Sequence, residues 1–496
     1  MQQDRGQEGD SGMPAAKRAK TETETETEAE TTAAKKMTPP VPARPSPVML
    51  ADAASESNLA AFATSMQTIR ASLVAQGEAR DRARVPCREL RSLVESGLRK
   101  AHEGKIDSPS STMDQDEGES ASSKHKVLVK DLLEVCSPSV RNQGHVSMCL
   151  SAYVAFECFC HFVNTGVLLQ RRTFPELTST EYLMGTLRFA DELETYAIGR
   201  GMSRDIVSVS VCSQMVKAMN AAFIQFNLRN GPLRRRYDSL KYRVRKMEDI
   251  LYELSLICSD AEVASIREHE QLTSETLLDM EEFGTMVKEI DEHTEEREKV
   301  ITTSRGPQKD SKKAIYALHR ENWGEARKLL TACEETFNTF VATTKIPRDE
   351  LHAGSFGNAL EEYAEARIFE EWRVHKGSLL TLDAMREQVD IQERDYLGGI
   401  VDFTGEIGRY GVVRATARDE DTVKQVLATM LIIKDYAIDF QEIADPKMVK
   451  KLEAVFNNER KMRNTLYELT LLKHSKRKTL DLDSTRNMEP STSAED

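Results

Sequence analysis

Four carboxylates in the second half of the chain have the types and spacing needed for chemistry. Glu362 and Glu365 are three residues apart and Asp402 and Glu406 four apart, so on helices each pair projects from a single face. The second pair lies in residues 396–410, an apolar and Gly-rich stretch holding Gly398, Gly399, Gly405 and Gly408. Each glycine costs a helix about 1 kcal/mol relative to alanine, so four together point to close approach of another backbone or of a ligand. A buried, unpartnered carboxylate costs several kcal/mol. Two on one apolar face therefore call for cations, protons or a metal. Four such groups from two helices suit Mg²⁺, or Mn²⁺, held through oxygen with waters retained. An ion of that kind makes a hydroxide nucleophile and stabilises charge on a phosphate. Spacing alone leaves the plainer arrangement open, and favours it: Glu362 and Glu365 solvated, Asp402 and Glu406 paired with Arg or Lys. Glu361 lies one step round the helix and outside the set.

A second constellation precedes it. Arg305, Lys309, Lys312, Tyr316 and Arg320 recur at steps of three and four, with His319 alongside. A basic stripe carrying an aromatic suits phosphates and a stacked base, although charged stripes are more often solvated faces. Pro307 after Gly306 is expected to kink or restart this helix and to put Arg305 out of register. The most basic run, Arg234, Arg235, Arg236, Lys241, Arg243, Arg245 and Lys246, covers every face of a helix, so subunit-packing ion pairs and nucleic-acid contact both stay open.

The elements that must position these residues are helices. In residues 311–332, Ile315, Leu318, Ala326, Leu329 and Leu330 return to one face. Cys212, Met215, Ala218, Met219, Ala222 and Phe223 form the same kind of stripe, and both read as core or interface. Strand signals are nearly absent. The formal charge of −13 argues against a protein that coats nucleic acid through its overall field, but local basic grooves remain compatible. Eight cysteines without ligand-like spacing read as free thiols of a reducing compartment; Cys158 and Cys160, two apart on a helix, suit neither a disulfide nor a metal. With no run of about 18 consecutive apolar residues, no membrane span is expected.

Residues 1–55 are expected to be a disordered tail, with a Thr-Glu repeat and a Pro-rich run. Lys17, Arg18, Lys20, Lys35 and Lys36 are compatible with a nuclear import signal or with plain solvated charge. A Ser/Asp/Glu-rich insertion is placed at about 104–124, a linker at 261–280 and a second tail at 479–496, leaving domains at 56–260 and 281–478.

Those domains are copies of one unit. Residues 181–196 align with 395–410 at an offset of 214, with six of sixteen positions identical. Tyr252 to Leu256 matches Tyr467 to Leu471, and Tyr153 and Phe159 match Tyr363 and Phe369. Three ordered matches at a nearly steady offset mark a duplication.

The residues 227–246 (NLRNGPLRRRYDSLKYRVRK), with Glu248 and Tyr252-Glu-Leu-Ser255, resemble the last long helix of translin. Residues 359–366 (ALEEYAEA) and 395–406 (DYLGGIVDFTGE) resemble signatures of translin-associated factor X and its archaeal relatives. The resemblance implies an all-α protein of two tandem seven-helix-type bundles, assembly into a hollow barrel-like oligomer, and binding of single-stranded RNA and single-stranded DNA. It also implies Mg²⁺-dependent endoribonuclease activity, in small-RNA or tRNA-fragment processing, with Glu362, Glu365, Asp402 and Glu406 as both metal ligands and catalytic residues. Arg305, Lys309, Lys312, Tyr316, His319 and Arg320 would hold the nucleic acid. At the positions of Glu362, Glu365 and Asp402 the first half has Ala152, Ala155 and Arg188, and only Glu192 remains, opposite Glu406. The first half is thus expected to be silent, with Glu192 paired to Arg188. Eight domains would then come from four chains, or from chains joined by separate translin subunits, working in cytoplasm and nucleus. The rival expectation is a non-catalytic assembly that stores or transports RNA or single-stranded DNA; a third is a helical protein scaffold.

Overall fold

The computed structural model describes residues 56–104, 121–136, 138–141, 144–269 and 274–486. The expected first tail, the import run, most of the acidic insertion and residues 487–496 lie outside them. The first half contains α1 (Glu56–His102), α2 (Ala121–Val135), α3 (Pro138–Arg141), α4 (Gly144–Thr165), α5 (Ser179–Met202), α6 (Ile206–Phe223) and α7 (Pro232–Ser255). Short helices α8 (Asp260–His269) and α9 (Ser274–Leu277) lead into α10 (Met280–His319) and α11 (Trp323–Thr343). Then follow α12 (Arg348–His352), α13 (Ser355–Val374), α14 (Leu382–Arg386), α15 (Glu393–Thr416), α16 (Glu420–Gln441) and α17 (Pro446–Arg486). No strand occurs among the described residues. The protein is all-α, as expected.

Local chemistry repeats along with the sequence. A capping box starts α5 at Thr178 and Glu181, and another starts α15 at the equivalent Gln392 and Asp395. In each, the carboxylate three residues on satisfies an orphan backbone N–H of the first turn. The turns leaving these helices place Arg204 and Arg418 at positive φ, 59° and 63°. Asp205 and Asp419 then cap α6 and α16 while accepting from Arg200 and Arg414.

Two hydrophobic cores form, and each takes one helix segment from the other half of the sequence. The first gathers residues from Ala83 to Met286; the second gathers Phe62, Met66, Ile69 and Leu73 with residues from Val300 to Met462. The N-terminal half of α1 is thus packed on the second bundle. Asn58 Nδ2 donates to Leu379 O (3.0 Å), Leu379 N donates to Asn58 Oδ1 (2.9 Å), and Leu382 N donates to Ser65 Oγ (3.0 Å). The start of α10 does the reciprocal thing on the first bundle, where Glu282 accepts from the backbone N–H groups of Arg171 and Arg172 (2.6 Å each).

The division at 260 and 281 expected from sequence is therefore crossed twice. The stretch 261–280 is not a free linker: it contains α8 and α9, and Leu277 and Leu278 are buried in the first core. The physical reason is helix continuity, since α1 (47 residues) and α10 (40 residues) run through both bundles without a break. The last helix likewise continues to Arg486, past the boundary expected at 478.

α4 and α6 are long and apolar enough to span a membrane, although neither has the uninterrupted apolar run sought in the sequence. In both, 61% of the apolar window is buried inside the bundle, which accounts for their composition as core helices.

Phe62 is 1% exposed and meets Tyr436 edge to face at 5.9 Å. Phe62→Ala should cost about 3–5 kcal/mol. Hydrogen exchange should show the lost protection in α15 and α16; loss confined to α4 and α5 would contradict the exchange of helix segments.

Candidate active site

The four acids stand on α13 and α15, which pack directly on one another, α13 also against α10 and α15 also against α17. The glycines permit this. A Cβ built at Gly399 would stand 2.5 Å from Ala364 Cβ and 2.9 Å from Glu365 N, and one at Gly398 would stand 2.5 Å from Glu361 Cδ. Gly399 faces backbone and requires glycine, whereas at Gly398 the clash is with the end of the Glu361 side chain, which would have to swing away. Gly408 is tighter than an ordinary contact, 3.1 Å from Met430 Cε, whereas Gly405 has room, 3.8 Å from Asn458 Nδ2.

Glu365 is the centre of the group. It is buried, and no hydrogen bond or ion pair to it is formed among the described residues. Burial, reinforced by the charges of Asp402, Glu406 and Glu362, pushes its carboxyl up to about 8. The other three acids each hold a cation. Lys312 Nζ lies 2.8 Å from Glu362, Lys451 Nζ 2.8 Å from Asp402, and Glu406 takes both His319 Nε2 (2.6 Å) and Arg409 (2.6 Å). Lys451 also bonds Glu361. Burial lowers the Lys451 ammonium, but Glu361 and Asp402 outweigh it and leave the group raised. Glu361, raised by burial against that attraction, is thus a member of the cluster despite its different helix face.

The arrangement as folded is a cation-neutralised acid cluster. No three His, Cys, Asp or Glu side chains among the described residues stand in geometry ready to hold a metal. The donor set still fits a hard divalent ion, because all four acids supply oxygen and the central one is a buried carboxylate with no direct partner. Lys451, on α17, had no sequence signal, since only the fold brings it to Asp402. Arg409, three residues after Glu406, was readable as an i, i+3 pair.

The basic stripe leads into this cluster. Arg305, Lys309, Lys312 and Tyr316 are exposed on α10 and Arg320 just past its end, and Arg320 stacks over the Tyr316 ring at 4.9 Å. The expected break at Pro307 does not occur. α10 runs unbroken, with Pro307 buried and its carbonyl accepting from Cys333 (3.5 Å), so Arg305 stays in register with Lys309 and Lys312 along one wall. His319 turns inward to Glu406 instead of joining the open face.

In the first bundle Ala152 and Ala155 are buried and Arg188 lines a cavity beside α1. Glu192 takes His102 (3.3 Å), not Arg188 as expected, because His102 ends α1 as His319 ends α10. Of the basic run in α7, Arg236 and Arg243 face inward, both to Asp191, with Arg243 also 2.5 Å from Glu194. They hold α7 against α5.

The translin family model matches residues 92–257 and again 295–473, more than half of the sequence. The chain belongs to the translin family, as a tandem of two family units. Translin of Gallus gallus is 30% identical over 129 residues, 23% of this chain and 56% of that protein. Translin of Homo sapiens is 28% identical over 138 residues, 25% of this chain and 60% of that protein. The translin-associated protein X homolog of Schizosaccharomyces pombe is 27% identical over 213 residues, 40% of this chain and 90% of that protein. The chain thus spans 56% to 60% of the length of these translins. Among solved structures, the crystal structure of AfC3PO aligns with a TM-score of 0.33 and 19% identity, over 37% of this chain and 95% of that one.

Glu365 also sets a pH dependence. Its folded value of about 8 lies above the ordinary 4.5, so between these values the folded chain keeps a proton that the unfolded chain has lost. Its contribution to stability is then fully present below the lower value and is lost as pH rises through the upper one. In EDTA, Glu365→Gln should gain roughly 2–4 kcal/mol on wild type between pH 5 and pH 9. Urea midpoints that run parallel across that range would contradict the burial of an unpartnered carboxylate.

Proposed function

We propose that this chain binds single-stranded nucleic acid and cleaves RNA endonucleolytically at the second bundle, with the first bundle as a silent partner. The supporting observation is continuity: the exposed face of α10 runs into the acid cluster through Lys312–Glu362 and His319–Glu406. A strand whose phosphates lie along Arg305, Lys309 and Arg320, with a base on Tyr316, is delivered to Glu365 and Asp402. Mg²⁺, or Mn²⁺, held by Glu362, Glu365, Asp402 and Glu406, would supply an activated water and charge neutralisation at the phosphate. One of the four carboxylates orients or deprotonates the attacking water. His319 holds Glu406 in place, and Lys451 is the cation that must yield Asp402. Assembly into oligomers of four chains and eight domains, work on small-RNA or tRNA-derived strands, and residence in both cytoplasm and nucleus belong to the same proposal.

One observation favours a second reading. Three of the four acids already hold cations, as they would in a non-catalytic assembly that only stores or carries nucleic acid.

Labelled single-stranded RNA separates the two. Cleavage with Mg²⁺ is expected, falling at least 100-fold in EDTA and in Asp402→Asn, while binding is retained in Asp402→Asn. RNA that binds but stays whole under every condition supports the storage reading.

A further inference from the structure

In the first bundle, the cavity beside Arg188 has two thiols in its wall. Cys87 comes from α1 and Cys149 from α4, and Arg84, Arg88, Arg91 and His145 line the same cavity with Val94, Leu98, Met148 and Ala152. The counterpart acids are absent here, so the cavity carries a surplus of positive groups, with Glu95 as the one acid among its lining residues. Cys149 Sγ lies 3.1 Å from the carbonyl oxygen of Cys87 and donates to it, which sets the two cysteines side by side in the cavity wall. Both residues are nearly buried as side chains, but the cavity opens to solvent and gives a small oxidant a path to them.

We propose that Cys87 and Cys149 are a peroxide-reactive dithiol that closes to a disulfide between α1 and α4. The roles are unequal. The neighbouring Cys149 thiol holds the Cys87 thiol below its ordinary value, against the opposing effect of burial. The closeness of Cys87, with burial, pushes Cys149 far up, so it stays protonated. The thiolate, not the thiol, is the reactive form of cysteine. Cys87 thiolate attacks one oxygen of hydrogen peroxide, the O–O bond breaks, and Cys87 sulfenic acid and hydroxide result. The sulfur of Cys149 then displaces hydroxide from the sulfenic acid, giving the disulfide. The two protons originally on the thiols complete two waters, so peroxide is reduced by two electrons and the thiol pair is oxidised by two. Because α1 continues from this cavity onto the second core, the bond would staple the helix shared by both bundles.

Cys158, Cys160, Cys212 and Cys333 are all pushed up by burial, away from reactivity. Cys136 is also raised by burial and lies within electrostatic range of Cys87, which makes it the rival resolving thiol. The test uses the full chain, treated with increasing hydrogen peroxide, alkylated, digested without reductant and read by mass spectrometry. The first linked peptide should join Cys87 to Cys149 and disappear with dithiothreitol. In Cys149→Ser, dimedone should trap a sulfenic acid on Cys87; in Cys87→Ser, Cys149 should stay unmodified, with circular dichroism confirming both variants as folded. A Cys87–Cys136 link, or a Cys87 that resists peroxide in Cys149→Ser while other cysteines react, would overturn the proposal.

Discussion

The site depends on how closely α15 can lie on α13. Gly398 and Gly399 present no side chain to Glu361, Ala364 and the backbone of Glu365, so two helices come together at a distance that larger residues forbid. The same contact forces like charges into one place. Asp402 and Glu406 on one helix are driven toward Glu362 and Glu365 on the other, and Glu365 is left buried with its charge disfavoured by all three. Low dielectric makes such crowding costly unless cations or protons answer it. Lys312, Lys451 and Arg409 answer it from α10, α17 and α15 itself, and His319 adds a hydrogen bond to Glu406. The cluster is thus balanced by side-chain cations around its rim and by the raised carboxyl of Glu365 at its centre.

The duplication gives this arrangement its contrast. The same helix ends, capping boxes and His–Glu pair occur in both bundles, so the scaffold is kept while the chemistry differs. Where the second bundle has three carboxylates, the first has two buried alanines and an arginine, and its cavity becomes cationic. The exchange of helix segments joins the two outcomes mechanically, because α1 and α10 each contribute to both cores.

Much of this was legible in the residues. Helical spacing fixed which acids share a face, the repeat fixed two equivalent bundles, and the excess of glycine in α15 foretold close approach at Gly398 and Gly399. What could not be read depends on distance in space and not on spacing in sequence. Lys451 reaches Asp402 only because α17 folds back along α15. His102 displaces Arg188 as the partner of Glu192 because α1 ends beside it. Pro307 was misleading, since burial of its ring and support from α11 let a long helix pass through it unbroken. The helix exchange had no local signature, because apolar positions at the start of α1 look the same whichever core receives them.

The most direct test is a crystal of the full chain soaked in Mn²⁺ at pH above 8, with anomalous scattering measured at the manganese edge. A single strong peak between α13 and α15, beside Glu365 and Asp402, with Lys451 swung away from Asp402, is the expected result. An ordered site with no peak, and Lys451 still bonded to Asp402, would contradict the assignment of these four carboxylates to a metal.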